Sequence, residues 1–584
     1  GIIPPGNDTV TVGDIERTRL NHVKILFFVG VNDGVVPKAG NQGGIISQFE
    51  REKMAEYHLE LAPGAREKVF IQKFYLYLNM TKPSERLYVT FCRVNSDGKA
   101  LRRSYLIGTL LKLFPQLAVE EPSEEETLEG ALTAESALPF LMEGLTKPVE
   151  DEEAWTALLA WYLSDEGERE KVMQLFDAAF GAHKDDAISK AVTKALYGNT
   201  LENSVTRLEQ FAACAFAHYL SYGLRLKERE LQQFASVDMG NIYHDVLERF
   251  AKGIELSDYT WFDIPEKAQE ALLSQSMEDA IAGSGIGDVF EDARNSYLLK
   301  RMEATAKRTI WALMLQVRKG KFVPSGFEVS FSRADRLDAV QFQLGEDEKM
   351  RLRGRIDRAD TYETDDKVYV KIIDYKSGNT TFSLLNFYYG LQLQLVVYMN
   401  AALELTKKKY KGKDTEPAGI FYYHITDPMV DADGQESEEE IRRSILEQLK
   451  VGGLVNEDPE IYGAMDTDFS GTSTVIPVAL KADGSLKATS KTASTYEFGL
   501  MSHYVRKKIE HVGKEIFAGN VAVKPYLLGD RSGCDYCPYH TICGFDVRMP
   551  GFSYQQFEKF DSSEEILAHI REEIGEPGKN PDGE

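Results

Sequence analysis

The chain has little cysteine, no long apolar run and no surplus of positive charge, and each shortage excludes a class of protein. Five unevenly placed cysteines in 584 residues are too few for the disulfide framework of a secreted protein. The sequence contains no run of about 20 consecutive apolar residues, which a membrane span would need. Its first residues lack the basic and apolar segments of a signal peptide. We therefore expect a cytoplasmic protein with no membrane partner.

The formal net charge of -24 argues against nonspecific adhesion to DNA, because phosphate binding depends on local lysine and arginine. A role with nucleic acid therefore needs local basic patches. The sequence offers three candidates: Arg225, Lys227 and Arg229; Lys407, Lys408, Lys409, Lys411 and Lys413; and Arg506, Lys507 and Lys508. Taken singly, such a patch is more often a solvated helix face or turn.

A chain of this length exceeds what one hydrophobic core supports, so more than one domain is predicted. The apolar run 23–30 predicts a buried central strand of a parallel sheet, and helices and a strand follow it, which is an α/β layout. Acidic residues between 119 and 130 predict an exposed linker. The predicted parts are a first α/β domain, a linker with a helical connector, a second domain and an acidic tail: 1–118, 119–200, 201–550 and 551–584.

Two carboxylates and a lysine lie in the middle of the second predicted domain. Asp357 follows a predicted strand, and Asp374 and Lys376 are two residues apart in a largely buried one. Because side chains alternate along a strand, Asp374 and Lys376 point to the same face. Hydrolysis of a phosphodiester needs oxygen ligands for a divalent ion and positive charge against the developing oxyanion. The pattern alone is weak, since Asp and Lys on one face can also form a structural ion pair.

Three further residues complete a pattern around this pair. His244 lies on a predicted helix, and Gln394 and Tyr398 lie one helical turn apart. Each of them taken alone is more often an ordinary residue of a half-buried helix. The whole order resembles the RecB-type branch of the PD-(D/E)xK nucleases: His244, Asp357, Asp374, Lys376, Gln394 and Tyr398.

This resemblance implies an α/β nuclease domain, a mixed sheet flanked by helices, that hydrolyses DNA with Mg2+ or Mn2+. It also implies the ligands of that metal: His244, Asp357, Asp374 and the backbone carbonyl of Tyr375. Lys376 would position or deprotonate water and offset charge on the phosphorane. Gln394 and Tyr398 would orient Lys376 or contact the DNA backbone.

Four of the five cysteines can supply thiolates to one metal centre. Cys534, Cys537 and Cys543 lie in one compact segment, and Cys214 lies far upstream. Four thiolates suit zinc or an iron-sulfur cluster, and ligand chemistry leaves both open. One upstream and three downstream cysteines around a nuclease core, with the segment 204–209, resemble the iron-sulfur staple of AddB-type nucleases. That resemblance implies a structural [4Fe-4S] cluster.

The first part of the chain resembles the second motor domain of superfamily 1 helicases. The segment 23–37 is similar to the strand and loop before the late helicase motifs, and 76–89 to the motif that reads Thr-Arg-Ala in active motors. Here the triplet is Thr81-Lys82-Pro83, and lysine lacks the planar fork of donors that arginine has. The sequence contains no G-x-x-x-x-G-K-[ST] phosphate loop, so we expect no ATPase activity from the chain itself.

A degenerate motor followed by an iron-sulfur nuclease resembles the AddB subunits of bacterial AddAB helicase-nucleases, and the chain looks like their C-terminal portion. The resemblance implies an AddA-type partner subunit with the active motor, and DNA with single-stranded ends at duplex breaks. It implies hydrolysis of the 5'-ended strand by a DNA exonuclease during homologous recombination. Two alternatives stay open: a stand-alone iron-sulfur exonuclease, and a catalytically silent scaffold that binds DNA and a partner motor.

Overall fold

The computed structural model describes residues 10–18, 20–38, 46–59, 61–95, 98–121, 133–149, 151–184, 187–227, 236–284, 293–331, 337–430 and 437–575. The chain forms two compact units, 1–175 and 176–584. This division differs from the predicted boundaries at 118 and 200. Residues beyond 175 join the second unit because the His183 and Ile188 amides donate to the backbone carbonyls of Pro550 and Gly519.

The first unit contains a two-stranded parallel sheet, as the α/β pattern predicted. β1 (Ile25–Phe28) pairs with β2 (Arg86–Val89). The described helices are α1 (Gln48–Glu56), α2 (Ala65–Met80), α3 (Tyr105–Leu113), α4 (Ala134–Thr146) and α5 (Glu152–Ser164), followed by α6 (Glu166–Phe180) across the division. The prediction that the strand is buried is wrong for one face, because Phe27 is 63% exposed and stacks on Tyr88 at the surface.

The second unit is built round a mixed sheet, as predicted. The eight described strands of this sheet are β3 (Thr200–Ser204), β4 (Val323–Phe331), β5 (Gln341–Gln343), β6 (Lys349–Glu363), β7 (Lys367–Lys376), β8 (Asp414–His424), β9 (Gly452–Asn456) and β10 (Thr492–Ala493). Their order is β10-β9-β8-β7-β6-β3, and β4 and β5 also pair with β6. β6 is antiparallel to β4, β5 and β7, whereas β7 and β8 are parallel.

Helices cover both faces of this sheet. They are α7 (Lys190–Tyr197), α8 (Val205–Ala213), α9 (Ala215–His218), α10 (Ser236–Leu256), α11 (Glu266–Gly283), α12 (Ala293–Arg318), α13 (Leu384–Tyr388), α14 (Gln394–Lys409), α15 (Glu438–Gln448), α16 (Pro459–Met465), α17 (Thr495–Phe517), α18 (His540–Cys543) and α19 (Ser563–Ile574). Apolar side chains of α8, α14, α17 and α19 share one core, and those of α10, α11 and α12 share the other. None of the described helices has the length and apolar character to span a membrane.

Two segments have a different form from what their sequence pattern predicts. The segment 204–222 has the pattern of one helix, but the structure interrupts it at Cys214, which is extended, with φ −167° and ψ 117°. The amide of Phe216 donates to the Ala522 carbonyl instead of continuing the helix. The predicted tail from 551 contains α19, whose Ile566, Leu567 and Ile570 are buried in the core with α17. Residues 576–584 of the predicted tail lie outside the described residues.

Candidate active site and cysteine site

β7 presents the Asp-x-Lys pair on one face, as the alternation predicted. Asp374 and Lys376 face the side of α14, while Ile373 and Tyr375 pack in the core on the opposite side. Asp374 is 2% exposed, and Lys376 Nζ lies 2.5 Å from its Oδ2. The pair is therefore buried at its acidic end and partly open at its basic end, since the lysine side chain is 28% exposed.

Helix α10 brings His244 to the end of β7. Its Nε2 lies 3.2 Å from the backbone carbonyl oxygen of Tyr375, and its Nδ1 lies 3.5 Å from Asp357 Oδ2. The same Asp357 oxygen accepts a hydrogen bond of 2.7 Å from the Tyr375 amide. The structure therefore brings together His244, Asp357 and the Tyr375 carbonyl, although His244 lies more than 100 positions from the other two in the sequence.

Glu328 also belongs to this cluster, although no pattern in the sequence points to it. It lies on β4 between residues that pair with 356 and 358, so it stands across from Asp357 on β6. Its Oε1 lies 3.4 Å from His244 Nδ1, and the side chain is 5% exposed. Ligand atoms of His244, Glu328 and Asp357 all lie within 4.8 Å of one another. Glu328 has φ +49°, a strained conformation of the kind that concentrates at functional sites.

Burial and like charge shape the protonation of the cluster. Burial, followed by the charge of Asp374, raises the pKa of Asp357 to about 7. Burial is also the main reason that the pKa of Asp374 is raised. For His244, burial alone would lower the pKa, but the hydrogen bond to Glu328 and the charge of Asp357 raise it. Three acids thus share a buried space with one imidazole and one ammonium, an arrangement that a divalent cation would relieve.

The donor set fits Mg2+ or Mn2+. Carboxylate and carbonyl oxygens are the donors that these ions prefer, His244 adds one imidazole to them, and adjacent ligands of an octahedral ion lie about 3 Å apart. The 3.2 Å between His244 Nε2 and the Tyr375 oxygen is close to that separation. Two buried oxygens, Glu328 Oε2 and Asp374 Oδ2, have no well-aligned hydrogen-bond donor, although Arg355 and Lys376 lie close to them. The site therefore offers buried carboxylate oxygens whose close partners are cations rather than well-aligned hydrogen-bond donors.

Gln394, the first residue of α14, links the two charged members of the motif. Its Nε2 donates to Asp374 Oδ1 at 2.9 Å, and its Oε1 accepts from Lys376 Nζ at 3.3 Å. Tyr398 is 8% exposed and is hydrogen-bonded to Gln394, and burial raises its pKa to about 12. A contact of Tyr398 with the DNA backbone, one of its two predicted roles, is disfavoured by this burial.

Glu209 on α8 supports Gln394 from behind. Its Oε1 accepts hydrogen bonds from the amides of Leu393 and Gln394, at 2.7 and 3.1 Å, and so satisfies the N-terminus of α14. Burial raises the pKa of this carboxyl to about 7. In the sequence, Glu209 stands out only as part of the segment before Cys214. Glu209 therefore connects the helix that ends at this cysteine to the Asp-x-Lys motif.

The four cysteines meet although 320 positions separate Cys214 from Cys534. Cys214 lies at the break between α8 and α9, and it lines one small cavity with Cys534, Cys537 and Cys543. All four are free thiols. Burial raises the pKa of Cys214, and burial together with the neighbouring thiols raises that of Cys534 to about 11. Four thiols held together in this way fit a group that binds thiolates.

Comparisons with known proteins match a family model to the second unit and curated relatives to nearly the whole chain. Residues 202–544 match the family model of the PD-(D/E)XK nuclease superfamily, a range that contains every predicted site residue. Relatives named as the B-type subunit of an ATP-dependent helicase/deoxyribonuclease occur in Lachnoclostridium phytofermentans (38% identity over 98% of this chain and 49% of the relative), Alkaliphilus metalliredigens (34%, 98% and 50%) and a Thermoanaerobacter species (32%, 100% and 51%). The chain spans about half the length of these curated relatives.

Proposed function

Because the chain belongs to the PD-(D/E)XK nuclease superfamily, we propose that it is the nuclease-bearing part of an AddB-type subunit of a bacterial helicase-nuclease. It hydrolyses phosphodiesters of the 5'-ended DNA strand at double-strand breaks, as an exonuclease of DNA repair by homologous recombination. One observation carries this proposal. Five groups meet at the end of β7: His244, Glu328, Asp357, Asp374 and the Tyr375 carbonyl.

These groups would hold Mg2+ or Mn2+, with Glu328 added to the ligands that the family resemblance implies. A divalent ion at such a site supplies charge against a phosphoryl oxygen and lowers the pKa of bound water. Two backbone groups of one residue serve the site together, because Tyr375 offers its carbonyl oxygen while its amide donates to Asp357. His244 is fixed in turn between Glu328 and that carbonyl.

Besides the metal ion, the site has a positive charge from the protein, the ammonium group of Lys376. Asp374 and Gln394 hold its ammonium at the partly open end of the site, where it can orient water and offset charge on the phosphorane. Gln394 keeps this position because its side chain contacts Asp374 and Tyr398 while its amide is bonded to Glu209. We therefore assign Gln394 and Tyr398 to orienting the lysine.

The four cysteines would hold a [4Fe-4S] cluster with a structural role. The four side chains line one small cavity, and four thiolates suit either zinc or an iron-sulfur cluster. The resemblance to the iron-sulfur staple of AddB-type nucleases favours the cluster. A link that closes a loop of this length stabilises the fold by several kcal/mol, as long disulfide loops do.

The ATP-driven motor would reside in an AddA-type partner. Two observations support this part of the proposal. The relatives are named as subunits of an ATP-dependent helicase, and this sequence carries Thr81-Lys82-Pro83 where active motors have arginine. The first unit, with its parallel pair β1 and β2, would be the degenerate motor-like domain of that assembly.

Cleavage of end-labelled single-stranded DNA with Mg2+ tests the proposal. The full chain, purified without oxygen, should degrade this substrate, and Asp374→Ala should slow the reaction at least about a thousandfold, because metal binding supplies several kcal/mol of the barrier reduction. Iron content and broad visible absorbance of the same preparation distinguish a cluster from zinc.

The matched control is Asp279→Ala, an exposed aspartate on α11, which should cleave like the wild type. Equal activity of the wild type and Asp374→Ala would rule out the nuclease and leave the scaffold. Labels placed at either end report which end of the strand is degraded.

A further inference from the structure

The first half of β6 carries a row of positive charges. The sequence 349–355 reads K-M-R-L-R-G-R, so a basic residue occupies every second position. Met350 and Leu352 are buried in the core, at 0% and 2% exposed. The alternate side chains point away from that core and are exposed or half-buried. We name these four the basic row: Lys349, Arg351, Arg353 and Arg355.

The basic row leads to the candidate metal site. Arg355, its last member, contacts Glu328 through Nε, and Glu328 lies beside His244 in the acidic cluster. The next alternate position of β6 is Asp357 itself. A ligand bound along the row therefore arrives at the carboxylates without crossing another element of the sheet.

The spacing of the row suits an extended polyanion. Alternate residues of a strand are about 6.8 Å apart, which is comparable to the separation of successive phosphates in a stretched single strand of DNA. Guanidinium groups also match phosphate geometry better than ammonium groups, because their planar fork can donate two parallel hydrogen bonds. Three of the four members are arginines.

The ion pairs of the row leave it available to a ligand. Arg353 Nε lies 2.9 Å from Glu202 Oε2, but the arginine side chain is 61% exposed. Such exposed pairs contribute about 0 to 1 kcal/mol, and a guanidinium has five N–H donors. The patch at Arg506 is less available, because Arg506 also donates to the Asp338 carbonyl and burial lowers the pKa of Lys508.

We propose that the basic row binds successive phosphates of a single DNA strand and leads that strand into the active site. The proposal rests on the proposed nuclease function and adds the path of its substrate. Charge complementarity supports this occupant, because the chain as a whole has a net charge of -24 and would repel DNA without such a local row.

The proposal is tested by the binding of a fluorescein-labelled oligothymidylate to the full chain in EDTA. Fluorescence anisotropy measures the affinity at each of a series of salt concentrations. Each phosphate contact on a single strand contributes about 0.7 to the slope of log affinity against log salt. The double variant Arg351→Gln/Arg353→Gln should therefore reduce this slope by about 1.4, and weaken binding about twentyfold near 0.1 M salt. Both side chains are at the surface, so circular dichroism should show an unchanged fold.

The matched control is Arg442→Gln/Arg443→Gln on α15, which removes the same two charges from another exposed surface. This control should bind like the wild type. An equal loss in both variants would reduce the effect to net charge and overturn the proposal, and so would an unchanged slope in the first variant. Because no cleavage is measured, this result is independent of the Asp374→Ala test of the nuclease.

Discussion

The two faces of β6 and β7 carry similar charged pairs with different surroundings. On one face, Asp374 and Lys376 form an ion pair two residues apart. On the other, Arg358 and Asp360 have the same spacing, and the arginine donates from Nε and Nη2 to both carboxylate oxygens at 2.7 Å. We call the first the open face and the second the closed face. The difference between them lies in the balance of charge around each pair.

The closed face is balanced by its neighbours. Lys371 Nζ lies 3.2 Å from Asp360 Oδ2, and the Arg358 guanidinium lies 5.5 Å from the Trp261 ring. Burial alone would raise the pKa of Asp360, but the charges of Arg358 and Lys371 hold it below its usual value. The open face instead gathers Asp357, Asp374 and Glu328, and raises the pKa of the first two. An excess of buried acid therefore marks a cation site, whereas a balanced pair marks a structural one.

Tyr375 joins the two faces. Its carbonyl lies beside His244 on the open face, while its hydroxyl accepts a hydrogen bond from Arg358 on the closed face. The closed network thereby fixes the residue whose carbonyl is offered to the metal. The hydrogen-bonded network of the closed face thus helps to hold the Tyr375 carbonyl in the geometry that a metal ion needs.

The largest expected difference between the faces is in stability. Asp360→Ala leaves Arg358 and Lys371 buried without their anion, and should lower the free energy of unfolding by about 3 to 5 kcal/mol. Asp374→Asn should leave it unchanged or raise it, because the variant removes a charge from an acidic cluster and keeps an acceptor for Gln394. The measurement is urea denaturation of the full chain in EDTA, with tryptophan fluorescence as the signal that reports unfolding.

The comparison fails if both variants destabilise the protein equally, since the open face would then be a structural ion pair of the same kind. The Asp279→Ala control on α11 should have a negligible effect, because surface substitutions away from special features change stability by less than about 0.5 kcal/mol.

A second difference concerns pH and arises from Glu209, the buried acid that supports Gln394. Its pKa in the folded protein is about 7, above the ordinary value of 4.5. The stabilisation linked to its proton is therefore complete below pH 4.5 and is lost as pH rises through 7. Glu209→Gln keeps an oxygen for the Leu393 and Gln394 amides and does not ionise. Between about pH 5 and pH 8, the wild type should lose about 3 kcal/mol of unfolding free energy relative to this variant.

Denaturation of both proteins at the two pH values measures this change. If the two proteins have parallel pH profiles, Glu209 is not desolvated. Its burial then does not lower the free energy of unfolding. Glu515→Gln is a suitable comparison, because that carboxylate lies on α17 and accepts a hydrogen bond from Asn520.

The sequence predicted the parts of the site that depend on local periodicity. Strand alternation alone placed Asp374 and Lys376 together on one face of β7, and helical spacing placed Gln394 and Tyr398 one turn apart. The resemblance to a nuclease family added the roles of His244, Asp357 and the four cysteines. The structure brings His244 beside Asp357 and the four cysteines to one cavity. It also favoured the mixed sheet that carries them.

The rest depends on which strands pair, and periodicity holds no record of that. Glu328 joins the cluster only because β4 pairs antiparallel with β6, and Glu209 only because α8 packs beside the start of α14. In sequence, Arg358-x-Asp360 looks as promising as Asp374-x-Lys376, and only the burial of its partners identifies it as structural. The exposed ring of Phe27 shows the same limit for the predicted buried strand.

The smallest expected effect distinguishes a metal ligand from an ion pair at Glu328, whose neighbours Arg355 and His244 could explain it without any metal. Added Mg2+ or Mn2+ should raise the melting temperature of the wild type, because a ligand that binds only the folded state stabilises it by mass action. Glu328→Gln should weaken metal affinity about tenfold, which is about 1.4 kcal/mol of this stabilisation, whereas Asp357→Asn should abolish the shift. If Glu328→Gln responds to metal as the wild type does, Glu328 serves only to hold His244 and Arg355, and the open face loses one of its ligands.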